Sequence, residues 1–174
     1  MKKIATVSTF LIALLLCVSP VMSQNCKKLV KVKKDPMSDE KTLASNSWIL
    51  SNGLQMGFVR KGAKFSIEVV VRLNGDQHFK ISKGDSIGLK LNNGKITYFY
   101  ANRDYAPVKS VSGTNIQSAY VYFCDATKQD FEEIAKNGVA VVQAKMPQFD
   151  KTSEVNTKYS ARFAAIASCL LTEQ

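Results

Sequence analysis

Strict alternation of apolar and polar positions marks the middle of the chain. In KFSIEVVVRL, residues 64–73, the odd positions Phe65, Ile67, Val69, Val71 and Leu73 are all apolar. Ser66, Glu68, Val70 and Arg72 lie between them, which predicts a strand with one buried face and one mostly wet face. Asn74-Gly75 follows as a turn. Further on, Asn93-Gly94 is the strongest short-range hairpin signal, because a two-residue type I′ turn requires positive φ at both central positions. With these two residues as the loop, Leu91 faces Ile96, Leu89 faces Tyr98 and Ile87 faces Tyr100, all on one buried side. On the other side Lys90 meets Thr97, and Gly88 meets Phe99, an aromatic able to cover the glycine. A slip of one residue would move every side chain to the opposite face.

A second unit follows the hairpin. IQSAYVYFC, residues 116–124, is β-branched and aromatic on both faces, the pattern of a central strand. Thr127 with Asp130 three residues later reads as a capping-box helix start, and Phe131, Ile134 and Ala135 supply the apolar stripe. Asn137-Gly138 predicts a left-handed helix end. VAVVQA, residues 139–144, is short, β-branched and bounded by Pro147, so it reads as a strand. Tyr159, Phe163, Ile166 and Leu170 then fall at helical spacing and predict a last helix from about Asn156 to Leu171.

Two stretches complete the pattern. Residues 101–115, with Pro107, Gly113 and several serines, read as one long loop. In KKLVKVKK, residues 27–34, Val30 and Val32 alternate with Lys31 and Lys33, as in an edge strand whose lysines guard against aggregation. No repeat or linker divides the chain. The fold class expected is α+β: a curled antiparallel sheet or half-closed β-barrel with two packed helices, the second at the C-terminus.

The N-terminal residues add a compartment. Lys2 and Lys3 precede an apolar run from Phe10 to Val18, followed by the small-residue site Val21-Met22-Ser23, which predicts a signal peptide over residues 1–23. The apolar run is shorter than the roughly 20 residues a membrane span needs. Residues 24–174 are then a single exported domain, periplasmic or extracellular. Cys17 follows Leu16 and Cys26 follows Asn25, so neither has the small residue that a lipid-attachment site wants before its cysteine.

The whole chain has 24 basic and 14 acidic residues, a formal charge of +10. That surplus bears on anionic partners and not on fold. Three cysteines lie beyond residue 23: Cys26, Cys124 and Cys169. The two nearest the ends form the expected disulfide, Cys26–Cys169, closing a loop of about 140 residues, where the chain-entropy effect is largest. The other two pairings and a fully reduced chain are the alternatives, and Cys124 is the expected leftover buried thiol.

Candidate chemistry is sparse. GDSIG, residues 84–88, fits the nucleophile-elbow pattern, yet an elbow serine is followed by a helix and Ser86 is followed by an alternating strand. A triad needs a histidine base, and the single histidine, His78, precedes Ser86 by eight residues on a short strand-like segment. One histidine and no C-x-x-C cannot build the usual zinc sites. Cys124 beside Asp125 would be reactive only in a positive field. The acidic run DPMSDE, residues 35–40, lacks the glycine and ligand alternation of a calcium loop. Glu132 and Glu133 are adjacent on a helix and point apart, unlike a working carboxylate pair. No phosphate-cradling glycine loop is present. Six tyrosines and a basic balance suggest nucleic acid, but Tyr98 and Tyr100 are assigned to the buried hairpin face and Tyr120 and Tyr122 to a central strand.

The runs KKDPMSDEKTLAS, ISKGDSIGLKLNNGKITYF and AYVYFCDATKQDFEEIAKNGVAVVQAKM together resemble a group of small exported Gram-negative bacterial proteins. In that group a KGD-strand-NG-strand hairpin leads to strand, helix and strand, with a cysteine near each mature terminus. The resemblance implies export and an α+β fold, and brings no activity, cofactor or site residue. The expected function is therefore non-catalytic binding of a protein, peptide or glycan in the envelope or outside the cell, with no catalytic, cofactor-binding or metal-binding residue assigned. The alternatives are binding of anionic envelope glycan or lipid headgroups through the lysine excess, and a small enzyme such as a glycan hydrolase.

Overall fold

A computed structural model describes residues 23–34, 40–51 and 53–172. The expected signal peptide lies outside the described residues up to residue 22, and so does most of the acidic run, residues 35–39. Helix α1 (Ser23–Leu29) leads into β1 (Val30–Lys34), β2 (Lys41–Ser45), β3 (Trp48–Ile49), β4 (Leu54–Lys61) and β5 (Lys64–Asn74). The hairpin β6 (Ser86–Leu91) and β7 (Ile96–Tyr100) follows, then β8 (Val108–Ser112) and β9 (Asn115–Ala126). Helix α2 (Lys128–Asn137), β10 (Val139–Met146), β11 (Phe149–Glu154) and helix α3 (Thr157–Thr172) end the chain. The fold is α+β, with three helices among the described residues where the pattern predicted two.

The strands form two antiparallel sheets. The larger has the order β1-β2-β4-β5-β9-β8, with β3 paired beside β4; the smaller has the order β11-β10-β6-β7. They meet at one seam, where Ala101 forms a bridge with Cys124 and the Asn102 amide donates to the Phe123 carbonyl at 3.1 Å. This seam curls the whole into a half-closed barrel.

The alternating strand behaves as its pattern requires. Phe65, Ile67, Val69 and Val71 point inward, and the ladder sets them against β4 and β9 in rows. Phe58, Ile67 and Cys124 form one row, Met56, Val69 and Tyr122 the next, and Leu54, Val71 and Tyr120 the third. All nine are buried. Phe58 is where the helices join the sheet: the Phe131 ring of α2 and the Phe163 ring of α3 meet it edge-on, with centroids at 5.2 and 5.6 Å.

Helix α2 starts on the expected capping box. The Thr127 hydroxyl accepts from the Asp130 amide, and the Asp130 carboxylate accepts from the Thr127 amide at 2.9 Å. Asn156 caps α3, its side-chain oxygen accepting from the Tyr159 amide at 2.9 Å. Gly138 ends α2 with φ 66° but ψ 179°, which is not the expected left-handed cap. A Cβ there would stand 2.5 Å from Ser160 Oγ, so the glycine is required by the close approach of α3.

Four further expectations are corrected. The hairpin register is shifted by one: Ile87 pairs with Phe99, Gly88 with Tyr98, Leu89 with Thr97, and Lys90 with Ile96. The loop holds three residues, Asn92, Asn93 and Gly94. The Gly94 amide donates to the Leu91 carbonyl, the Leu91 amide donates to the Lys95 carbonyl, and the Asn93 side chain accepts from the Lys95 amide. This turn needs positive φ only at Gly94 (86°), which forms the bulge. Phe99 and Ala101 therefore point inward, while Ile96, Tyr98 and Tyr100 point outward.

The segment 27–34 is part helix, and in β1 only Val30 is buried, because α3 covers that end of the strand and, among the described residues, nothing covers Val32. Residues 101–115 are not one loop: β8 pairs along β9 from Val108 to Ser112. His78 lies in coil rather than in a strand, with its side chain 78% exposed.

The Cys26–Cys169 disulfide is present, with the Cα atoms 5.4 Å apart, and it staples α1 to the last turn of α3. Arg60 holds the same turn from the sheet, its guanidinium donating to the Leu170 carbonyl at 2.7 Å. Cys124 is the buried free thiol. Burial first, and then the Asp125 carboxylate, pushes its pKa up to about 12.

Three predictions follow from these contacts. Gly94→Val, whose Cβ would meet nothing within 4 Å and whose cost is backbone strain at φ 86°, should destabilise the fold by about 1–3 kcal/mol in urea unfolding. Replacing Cys26 and Cys169 together by serine should cost about 4 kcal/mol, since the bridge spans 143 residues. The Cys124 thiol has a folded pKa above its unfolded value of about 8.5, so its contribution to stability is full below that pH and is lost as pH rises toward the folded value. Unfolding measured from about pH 8 to pH 11 should show falling stability, and Cys124→Ala should flatten that fall. Tyr122, also raised by burial, accounts for part of what remains.

Candidate functional site

The corrected register builds a surface. On the solvent face of the small sheet, three rows of side chains cross β7, β6, β10 and β11. Tyr98, Gly88, Gln143 and Thr152 form the central row. Tyr100, Ser86, Lys145 and Asp150 flank it on one side, and Ile96, Lys90, Val141 and Glu154 on the other. Ile96, Tyr98 and Tyr100 are each more than half exposed, a contiguous apolar and aromatic edge on an otherwise polar face.

Gly88 shapes the middle of this face. An ideal Cβ on it would lie 3.1 Å from the Tyr98 ring, so the ring leans over the glycine and occupies the space a side chain would take. Tyr100 stands two residues further along the same strand, about 7 Å away. Beyond the rings, the Gln143 side chain donates to Asp150 Oδ1 at 3.3 Å, and Thr152 Oγ1 lies 3.5 Å from the same oxygen. Lys90 and Lys145 are offset by Asp150 and Glu154, so the face is close to neutral. Its chemistry is a pair of flat aromatic surfaces beside a field of hydroxyl, amide and alternating charged groups.

The residues singled out from sequence do not converge. Ser86 is the first residue of β6, opposite Tyr100 and Lys145, and no histidine is paired with it. His78 lies 3.6 Å from Asp76, whose carboxyl is held below its usual range chiefly by the hydrogen bond from Lys109. Cys124 points into the core while Asp125 points out, where it accepts from Asn102 at 3.1 Å; the field at the thiol is negative, the reverse of what a reactive cysteine needs. Glu132 pairs with Lys128 at 3.5 Å and Glu133 with Lys95 at 3.7 Å, so the two carboxylates serve different partners. Among the described residues, no three His, Cys, Asp or Glu side chains come together as metal ligands.

A concavity of about 940 Å³ lies between the outer face of β4, β5 and β9 and the segment 102–105. The polar groups of its 102–105 wall are occupied with one another and with Asp125. Asn102 bonds Asp125, the Tyr105 hydroxyl donates to Asn102 at 2.6 Å, and the Arg103 guanidinium sits 5.0 Å over the Tyr105 ring.

Tyr98 and Tyr100, with Ile96 beside them, are residues that sequence reasoning assigned to the core and the structure exposes. The exclusion of base-stacking ligands on grounds of tyrosine burial falls with that assignment for these two; Tyr120 and Tyr122 are fully buried. The signal that separates the registers is the triplet Asn92-Asn93-Gly94 before Lys95, which supports a three-residue bulged loop as readily as a two-residue turn. Among the described residues no helix is long and apolar enough to cross a membrane. No family model, curated protein or solved structure matches the chain.

Proposed function

We propose that this chain is an exported, non-catalytic binding domain that takes a neutral glycan on the solvent face of its small sheet. The observation that carries the reading is the outward pair Tyr98 and Tyr100, with the Tyr98 ring laid over Gly88. An aromatic ring presents an apolar face with a polar tip, which matches the C–H face of a pyranose ring flanked by its hydroxyls. Gln143, Thr152, Ser86 and the four charged side chains stand where such hydroxyls would be met. The balanced charge favours a neutral ligand, because a polyanion would meet Asp150 and Glu154 as well as the two lysines. The resemblance to small exported proteins and the Cys26–Cys169 disulfide, which persists in oxidising compartments, support placement in the periplasm or outside the cell.

The test is a screen of neutral oligosaccharides against the oxidised protein by affinity electrophoresis, followed by calorimetric titration of the ligands found. Tyr98→Ala and Tyr100→Ala should each weaken binding about tenfold, equivalent to roughly 1.4 kcal/mol. Ile116→Ala, on the distant β8–β9 hairpin, should leave it unchanged. Affinity should hold between about 0.05 and 0.5 M salt, where charge-driven binding would fade. Absence of any neutral ligand, or tyrosine variants that bind as the parent does, would overturn the reading.

A further inference from the structure

Strand β1 ends the large sheet. It pairs with β2 on one side, and among the described residues no strand pairs with its other side, which leaves a row of backbone N–H and C=O groups open. Lys31, Val32, Lys33 and Lys34 are all exposed, and Lys27 and Lys28 project from the last turn of α1 beside them. None of these five lysines is in an ion pair with an acidic residue among the described residues. Lys27, Val30, Lys31, Val32 and Lys33 line a concavity of about 510 Å³ along the strand. Val32, 55% exposed, is an apolar step between two cations.

The geometry points to β1 as a docking edge for an extended acidic peptide segment of another protein, added as a further strand of the large sheet. Three features select that occupant. The open backbone edge supplies the hydrogen bonds that hold an added strand whatever its sequence. The lysines set the sign: a second copy would bring an identical lysine-rich β1 and be repelled, whereas an acidic segment is attracted. The period of the strand sets the pattern. Lys31 and Lys33 lie on one face and Val32 on the other, so the matching segment alternates acidic and aliphatic residues. This edge is separate from the tyrosine face on the small sheet, and the two bindings are independent.

The probe is a capped peptide of alternating Glu and Val, titrated into the oxidised protein by fluorescence anisotropy. Binding should weaken steeply between about 0.05 and 0.5 M salt. Lys31→Glu with Lys33→Glu, both on exposed side chains, should weaken it by about tenfold or more while circular dichroism stays that of the parent. The same peptide with alternate amides N-methylated keeps its charge and loses its edge hydrogen bonds, and it should not bind. Tyr98→Ala should bind the unmethylated peptide normally, so failure of the glycan reading leaves this result standing. Equal binding of the N-methylated peptide would overturn the inference. So would tighter binding of anionic phospholipid vesicles or dextran sulfate than of the peptide, or a dimer in sedimentation that the double charge reversal leaves intact.

Discussion

The hydrogen bond from the Gly94 amide to the Leu91 carbonyl closes a loop of three residues, and the facing of everything beyond it on β7 follows from that count. With three residues in the loop, Phe99 enters the core and Ala101 arrives small and buried at the seam opposite Cys124. With two, Tyr100 would turn inward one step before the seam, and the short contact with β9 would have to accommodate a phenol ring. Closure of the half-barrel and exposure of the tyrosines are thus two results of the same turn. Neither the facing of the tyrosines nor the join between the sheets is free to change without the other.

The rest of the core is arranged around Phe58. It lies in the middle of the large sheet, in the row with Ile67 and Cys124, and it is touched by an aromatic ring from each of the two longer helices. Helix α3 is then fixed at its far end twice, by Arg60 from the sheet and by the disulfide from α1. The small sheet presents the rows of Tyr98, Tyr100 and Ile96 on its outer face. Its strands are backed by Ile87, Leu89, Val142 and Ala144, all fully buried.

What could be read from residues alone was whatever depended on local pattern. The alternation in β5, the capping box at Thr127, the helical spacing of Phe163, Ile166 and Leu170, and the pairing of the terminal cysteines all express short-range chemistry or simple chain topology. Turn choice did not, because Asn93-Gly94 suits two loop lengths and the pattern near the turn does not separate them. Strand β8 was hidden for a related reason. Val108 and Val111 are exposed on an outer strand, and their pairing with β9 rests on backbone bonds that leave little mark in composition. The candidate face was invisible for as long as its tyrosines were counted as core.

The burial of Cys124 has a bearing on how the chain reaches its oxidised state. Three thiols allow three pairings, and only one of them joins α1 to α3. Once β9 has docked between β5 and the seam, Cys124 is enclosed on every side and its thiolate is strongly disfavoured, so it can neither attack a disulfide nor be attacked. Oxidation after the sheet forms has a single product, and oxidation before it has several. In the folded chain the central strand thus keeps Cys124 apart from the cross-link, and the two cysteines left within reach of each other are those of α1 and α3.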